Sequence, residues 1–564
     1  MPEQNDRPAP AGSPSMPARR RRRAWLPILA LVLVGLVVSG GVALTTFTNA
    51  HRTVVVGAHT GVVTPTFDGH ATLDFGSVLP QIRMPIDTPL SVGVTIDIGD
   101  TQANDLNELV ARDAVIASQP EAEIDQISGV VRDIAVASAL RGLGAGLAVA
   151  LLLVAGWVLL GHRRRHEVAE RVRGFVARRT VPHAPLRTMV AFGLVTVLAV
   201  VLLTWPEPAD ESVTQTRWRP LTEVYPQIPD DLALDRLQIS SGSATDASRA
   251  IVESAITTYE TSVTFYGALA DRVPEVAEQL RKPADGEIVA VLVADRHDNI
   301  GMDKVVRAVA DEVDASLLID AGDDTSTGGS WEGFSIRSLA QQFRDVPTVA
   351  VAGNHDEGDF VAEQMKKDGF EVLDGKPVDV EGIRFLGYSD PRSSGFTAGW
   401  SQGSSSIIEQ GRELTETACE DGSISTVVVH SPTTGEEVAR SGCVDLVLSG
   451  HLHVQRGPTV LTAEDGRRTV TFTNASTGGA AFAFALGSKL RRQAQATLIT
   501  YRDGRPVGLQ PVNFIPDGTI QVTPYVPVDV TSDAPAPTTP APTTPTPTTP
   551  APTPTSAPTP APAG

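Results

Sequence analysis

The stretch Ile288-Val289-Ala290-Val291-Leu292-Val293-Ala294-Asp295-Arg296-His297 decides how this chain folds. Its first seven residues are uncharged and mostly β-branched or small, which reads as a strand buried on both faces. Two side chains able to hold a metal follow directly. The arrangement recurs downstream: the run Ser316–Ala321 leads into Gly322-Asp323, and Thr348–Ala352 into Gly353-Asn354-His355-Asp356. Ser425–Val429 leads into His430-Ser431, and Val444–Ser449 into Gly450-His451-Leu452-His453. Neighbouring strands that each end in polar residues bring them together at the carboxyl edge of a sheet, where open α/β sheets place their ligands. All five histidines after residue 205 lie in these segments. Imidazole, carboxylate and carboxamide together suit a divalent cation of intermediate softness. Singly, a Gly-Asp or a lone His430 reads as a turn or a core histidine; the coincidence of all five blocks removes that reading. His451 and His453, at i and i+2 on a segment read as extended, face one side.

With these blocks in this order, residues 286–520 resemble the calcineurin-like metallophosphoesterase superfamily, whose signature runs D-x-H, G-D, G-N-H-(D/E), H and G-H-x-H. The resemblance implies an α/β fold, a β-sandwich flanked by helices, and hydrolysis of phosphate mono- or diesters. It implies that Asp295, His297, Asp323 and His453 hold one divalent metal, that Asp323 bridges to a second, and that Asn354, His430 and His451 complete the second site. Mn, Fe or Zn are the expected ions. Two cations about 3.5–4 Å apart share a water, lower its pKa and clamp both oxygens of an in-line displacement, so the expected nucleophile is a bridging hydroxide. His355 is left without a metal and becomes general acid or charge stabiliser, with Asp356 as its expected orienting neighbour. In the phosphoprotein phosphatase branch G-D is followed by two residues and Asp-Arg-Gly. Here Gly322-Asp323 continues as Asp324-Thr325-Ser326-Thr327, which argues against a protein phosphatase.

Around this domain the 564 residues divide by composition. A basic amino terminus, 1–24, precedes an apolar span at 25–47; further spans are expected at 143–160 and 188–205, each long or nearly long enough to cross about 30 Å of hydrocarbon. Arg19 to Arg23 and the loop 161–187, with eight arginines and no lysine, place both segments in the cytoplasm by the positive-inside rule. Three transmembrane helices then leave 48–142, a small β-rich and helical unit, and everything after residue 205 outside. Strands are expected there at Thr53–Val56, Gly61–Val63 and Ser91–Ile96. Gly142 and Gly146 form a G-x-x-x-G, which reads either as a packing notch or as chance in a glycine-rich helix. Residues 206–285 read as a helical lead-in, 286–531 as the phosphoesterase domain, and the Pro/Thr/Ala-rich tail 532–564 as disordered, a wall-contacting stalk or a spacer.

Two cysteines, Cys419 and Cys443, precede strands that the implied fold makes neighbours. In an exported domain they form a structural bridge or remain two buried thiols. The net charge of −20 excludes a broad nucleic-acid footprint. The expected partners are therefore a lipid bilayer, which the spans enter, and phosphate esters at a membrane surface or cell wall. The expected protein is a multi-pass cell-membrane hydrolase with its catalytic domain extracytoplasmic; the alternative is a non-catalytic metal-dependent binding or sensor protein of the cell surface.

Overall fold

A computed structural model describes residues 25–76, 79–99, 106–159, 217–225, 236–241, 249–395, 399–403, 405–480 and 485–528. The expected third span, the basic segments 1–24 and 161–187, and the tail 532–564 lie outside the described residues.

The continuous apolar run at 288–294 is a strand, Glu287–Val293, covered on both faces. Val289, Val291 and Val293 enter one core cluster, and Ala290, Leu292 and Ala294 enter another. The period of two explains why neither parity could be polar. This strand lies within a mixed sheet whose order is Glu371–Val372, Thr348–Ala350, Leu317–Asp320, Glu287–Val293, Ala494–Arg502, Arg505–Phe514 and Ile520–Val522. The first four run parallel, and antiparallel pairing begins at Ala494–Arg502. A second sheet has the order Val378–Val380, Ile383–Tyr388, Thr426–Val429, Leu446–Ser449, Arg468–Thr473 and Arg456–Thr462.

The two sheets close on Leu292, Ile319, Phe385, Leu448, Phe472 and Ile499, all fully buried. Each such side chain contributes about 1.5–3 kcal/mol by leaving water. Helices Gly301–Glu312 and Gly333–Gln342 cover the outer face of the first sheet through Val305, Val309, Ile336 and Leu339. Helices Ile407–Asp421 and Glu436–Ser441 cover the second through Leu414, Ala418 and Val438. Cys419 and Cys443 form a disulfide, with Cα atoms 5.0 Å apart, that ties the helix Ile407–Asp421 to the segment entering Leu446–Ser449.

The amino-terminal unit is a seven-stranded sheet of order Arg52–Val56, His59–Thr66, Gly93–Ile98, His70–Asp74, Ile82–Pro85, Gln238–Ser241 and Arg217–Pro220. Its last two strands correct the expected helical lead-in: Gln238–Ser241, with the fully buried Ile239, adds to the edge strand Ile82–Pro85, and Arg217–Pro220 pairs with it in turn. Among the described residues of 206–285 the longest helix is Arg249–Asp271, with short helical turns at Leu221–Val224 and Val273–Gln279.

Helix α1 spans Trp25–Thr48, α2 Leu106–Ala117 and α3 Glu121–Leu159. The span expected at 143–160 is thus the carboxyl part of one 39-residue helix that begins in the unit itself. Helices α1 and α3 are each long and apolar enough to cross a membrane. They pack along Ile134, Ser138, Gly142 and Gly146 of α3, buried at every fourth residue. A Cβ at Gly142 would lie 2.3 Å from the Ser39 carbonyl oxygen, and one at Gly146 would lie 2.5 Å from that of Gly35. The G-x-x-x-G is therefore a packing notch and not chance. The unit docks on the sandwich through Ala58, Val115 and Ile116 against Ile300, Trp331 and Phe334. Arg337 donates to the buried Glu123 of α3 at 2.7 Å.

Candidate metal centre

Three of the five strands deliver their polar residues through a backbone turn that ordinary L-residues avoid. Asp295, His297, Asp323, His451 and His453 all have φ between 45° and 72°. Such left-handed conformations cost of order 1–3 kcal/mol each and persist where the surroundings over-determine them. Here the loops lock one another: Asp295 N–H donates to Gly322 O, His297 N–H to Asp323 O, and Gly450 N–H to His430 O. The extended segment expected for His451 and His453 is instead this left-handed turn, and it sends the two rings to different places. Gly353 is required by close approach, since a Cβ there would lie 2.1 Å from Asp323 Oδ1.

The structure brings the expected ligands into two groups that share one residue. Asp295, His297, Asp323 and His453 offer ligand atoms all within 4.8 Å of one another, and so do Asp323, His430 and His451. In the first group His297 Nε2 lies 3.0 Å from His453 Nε2 and 3.7 Å from Asp323 Oδ2, and His453 Nε2 lies 3.4 Å from Asp295 Oδ1. In the second, His430 Nε2 lies 3.2 Å from Asp323 Oδ2 and 3.1 Å from the carboxamide oxygen of Asn354, which adds Asn354 to that group.

The donor set fits cations. His297 Nδ1 donates to Thr325 O at 3.1 Å and His430 Nδ1 to Ala321 O at 2.8 Å. A hydrogen on Nδ1 leaves Nε2 as a lone pair, the orientation metal-ligating histidines take. For His430 that lone pair faces two oxygens, which repel it unless a proton or a cation stands between them. In the metal-free chain the proton does so: burial opposes charge on His430, but Asp323 prevails by charge and hydrogen bond and raises it to about 10. Asp323 is correspondingly held well below the usual carboxylate range, against burial, chiefly by His430. Burial lowers His297 to about 4 despite Asp323 and Asp295, and lowers His451 to about 4 with help from His430.

His355, expected to handle the proton, lies beside Asp323 and His297. Its backbone N–H donates to Asp323 Oδ1 at 2.8 Å, its ring lies 5.1 Å from that of His297, and Nδ1 donates to Ser326 O at 3.1 Å. Asp356 corrects the expectation. Its buried carboxylate accepts from Asp323 N, Thr325 N and Oγ1, and Gly353 N at 2.8–2.9 Å, because successive side chains on the turn point apart. It fastens two loops and does not orient His355. Burial, then Asp324 and Asp323, pushes it up to about 7.

Sequence reading missed the supports of the centre. Arg296, between two ligands, is fully buried, with Nε and Nη2 on Asp303 and Nη1 on Asp324 at 2.7 to 3.1 Å. Ser394 Oγ accepts from Asn354 Nδ2 at 2.6 Å, and Arg392 beside it pairs with Asp390. The polar run Asp324-Thr325-Ser326-Thr327 was the available signal for the first loop. Ser394, 40 residues from Asn354, carried none.

Residues 290–455 match the family model described as Calcineurin-like phosphoesterase, a span that contains both groups. The chain thus carries a calcineurin-like phosphoesterase domain, and its enzymatic class is a hydrolase of phosphate esters. No curated protein matches the chain. Among solved structures, an archaeal phosphodiesterase shares 13% identity over 38% of this chain and 93% of its own, with a TM-score of 0.23. A protein of Thermus thermophilus shares 11% over 42% and 98%, with a TM-score of 0.28. Likenesses this low say nothing of substrate.

Proposed function

We propose that this chain is a membrane-anchored, extracytoplasmic phosphoesterase that hydrolyses phosphate mono- or diesters at a centre for two divalent cations. The observation that carries the reading is Asp323, the one carboxylate common to both ligand groups. Two such cations, when bound, activate water and neutralise charge on a phosphoryl group in an in-line displacement. Asp295, His297 and His453 hold one side of the centre, Asn354, His430 and His451 the other, and Asp323 fixes their spacing. His355, outside both groups, holds a proton at Nε2 for the leaving oxygen while Ser326 O fixes Nδ1. Export is supported by the arginines at 19–23 and 161–187 and by the disulfide, which persists in oxidising compartments. The tail 532–564 is read as a stalk toward the cell wall.

The test uses the full chain in detergent. Chelation should abolish hydrolysis of a chromogenic phosphodiester, Mn²⁺ or a similar ion should restore it, and Asp323→Asn should bind neither metal and stay inactive. Full turnover with metal content shown to be nil would sink the proposal. Metal binding without turnover on any mono- or diester would leave a binding or sensor protein.

A further inference from the structure

The loop after Asp323 contains two consecutive peptide groups, each linking a buried carboxylate to an imidazole. In the peptide joining Thr325 to Ser326, the carbonyl accepts from His297 Nδ1 at 3.1 Å, and the N–H donates to Asp298 Oδ2 at 3.1 Å and Glu332 Oε1 at 3.3 Å. In the peptide joining Ser326 to Thr327, the carbonyl accepts from His355 Nδ1 at 3.1 Å, and the N–H donates to Glu332 Oε2 at 3.1 Å.

Glu332 also accepts from Thr327 Oγ1 at 2.8 Å and Gly329 N–H at 2.9 Å, and it is fully buried. The next residue back, Trp331, lies under the Arg112 guanidinium of α2, 4.7 Å from its ring centroid. Two carboxyl groups buried side by side are costly to the fold, and burial raises both Asp298 and Glu332. What they hold is a pair of peptides whose carbonyls meet the two rings. A hydrogen bond to a peptide N–H polarises its C=O, so the carboxylate strengthens the hold on the imidazole beyond the peptide.

We propose that Glu332 is a positioning residue for His355, acting through the peptide that joins Ser326 to Thr327. It takes the place that Asp356 was expected to fill. The assignment rests on the proton-donor role proposed above for His355. Glu332 touches neither substrate nor metal ligand; it fixes the direction of the His355 ring through the Ser326 carbonyl.

The test compares an ester with a good leaving group, nitrophenyl phosphate, and one with a poor leaving group, an alkyl phosphate, on the full chain loaded with Mn²⁺. Glu332→Gln should retain both metals, leave KM in place, and shift the ratio of kcat between the two esters about tenfold against the alkyl ester. In the His355→Ala background it should shift that ratio no further, because the two residues act as one unit. Should Glu332→Gln not fold, Glu332→Asp carries the same test, since it keeps the charge but shortens the reach to the Thr327 N–H. Equal losses on both esters, loss of metal, or losses that multiply in the double variant would overturn this assignment alone. Inactivity of the wild-type chain on both esters and on the corresponding nitrophenyl and alkyl diesters would overturn the proposed function and this assignment with it.

Discussion

At the scale of single residues the proposed roles separate holding metal from moving a proton. His355 adjoins the ligand Asn354 in sequence, yet its ring bonds to Ser326 O while the Asn354 carboxamide meets His430. His355→Ala should keep both metals and lower turnover on an alkyl ester by roughly 10²–10⁴-fold, with a smaller loss on a nitrophenyl ester that departs unprotonated. Asn354→Ala should weaken occupancy of the site shared with His430 and His451 and slow every ester alike. Metal analysis alongside rates on the two esters distinguishes them; loss of metal in His355→Ala would make this residue a ligand.

Among the elements, the helix Ile407–Asp421 shows how the second sheet is held at the amino ends of its strands. Ser406 and Glu409 form a reciprocal cap at its start, and Gly422, with φ of 69°, ends it. The disulfide joins it to the approach to Leu446–Ser449, and a loop of 24 residues closed this way contributes up to about 3 kcal/mol. At its last turn Asp421 accepts from Arg384 of the strand Ile383–Tyr388 at 2.6 Å. Hydrogen bonds from Arg384 and then Ser423 hold Asp421 at about 2. The ordinary aspartate value is about 3.9, so the folded pKa is depressed, and the stabilisation is present above about pH 4 and lost as pH falls toward 2. Asp421→Asn should therefore melt below wild type at pH 6, with the difference closing by about pH 2. A gap that stays constant over that window would show that Asp421 acts by packing alone.

Across the whole molecule, the segment between α1 and α3 is part of the catalytic body. Val115 and Ile116 of α2 are buried against Trp331 and Phe334, next to the loop that supports His297 and His355. Ile116→Asp leaves an unpaired charge in this seam and should cost about 3–5 kcal/mol, read as a lower melting temperature and faster proteolysis. Unchanged melting would mean that the two bodies part freely. The orientation of the assembly is tested by cysteine labels: one near residue 240 should react with an impermeant reagent in intact cells, and one near 175 should not. The reverse pattern would put the centre in the cytoplasm.

Local chemistry was enough for much of this. Five apolar runs, each closed by metal-competent residues, are legible because strand burial and ligand identity are properties of contiguous sequence, and the shared role of Asp323 is what the family resemblance of those blocks implies. The long apolar stretches of α1 and α3 are legible for the same reason, as hydrocarbon length is written in consecutive residues. What the tertiary structure decided are contacts between residues far apart along the chain. Asp356 turned from His355 to four loop N–H groups, Ser326 O took its place, and Glu332 stands behind it across peptides that no motif encodes. The strands at 217–241 joined a sheet begun at residue 52, and Gly142 became a notch only because Ser39 lies opposite. In each case the residue type permits several partners, and only the packed geometry leaves one within hydrogen-bond or van der Waals reach.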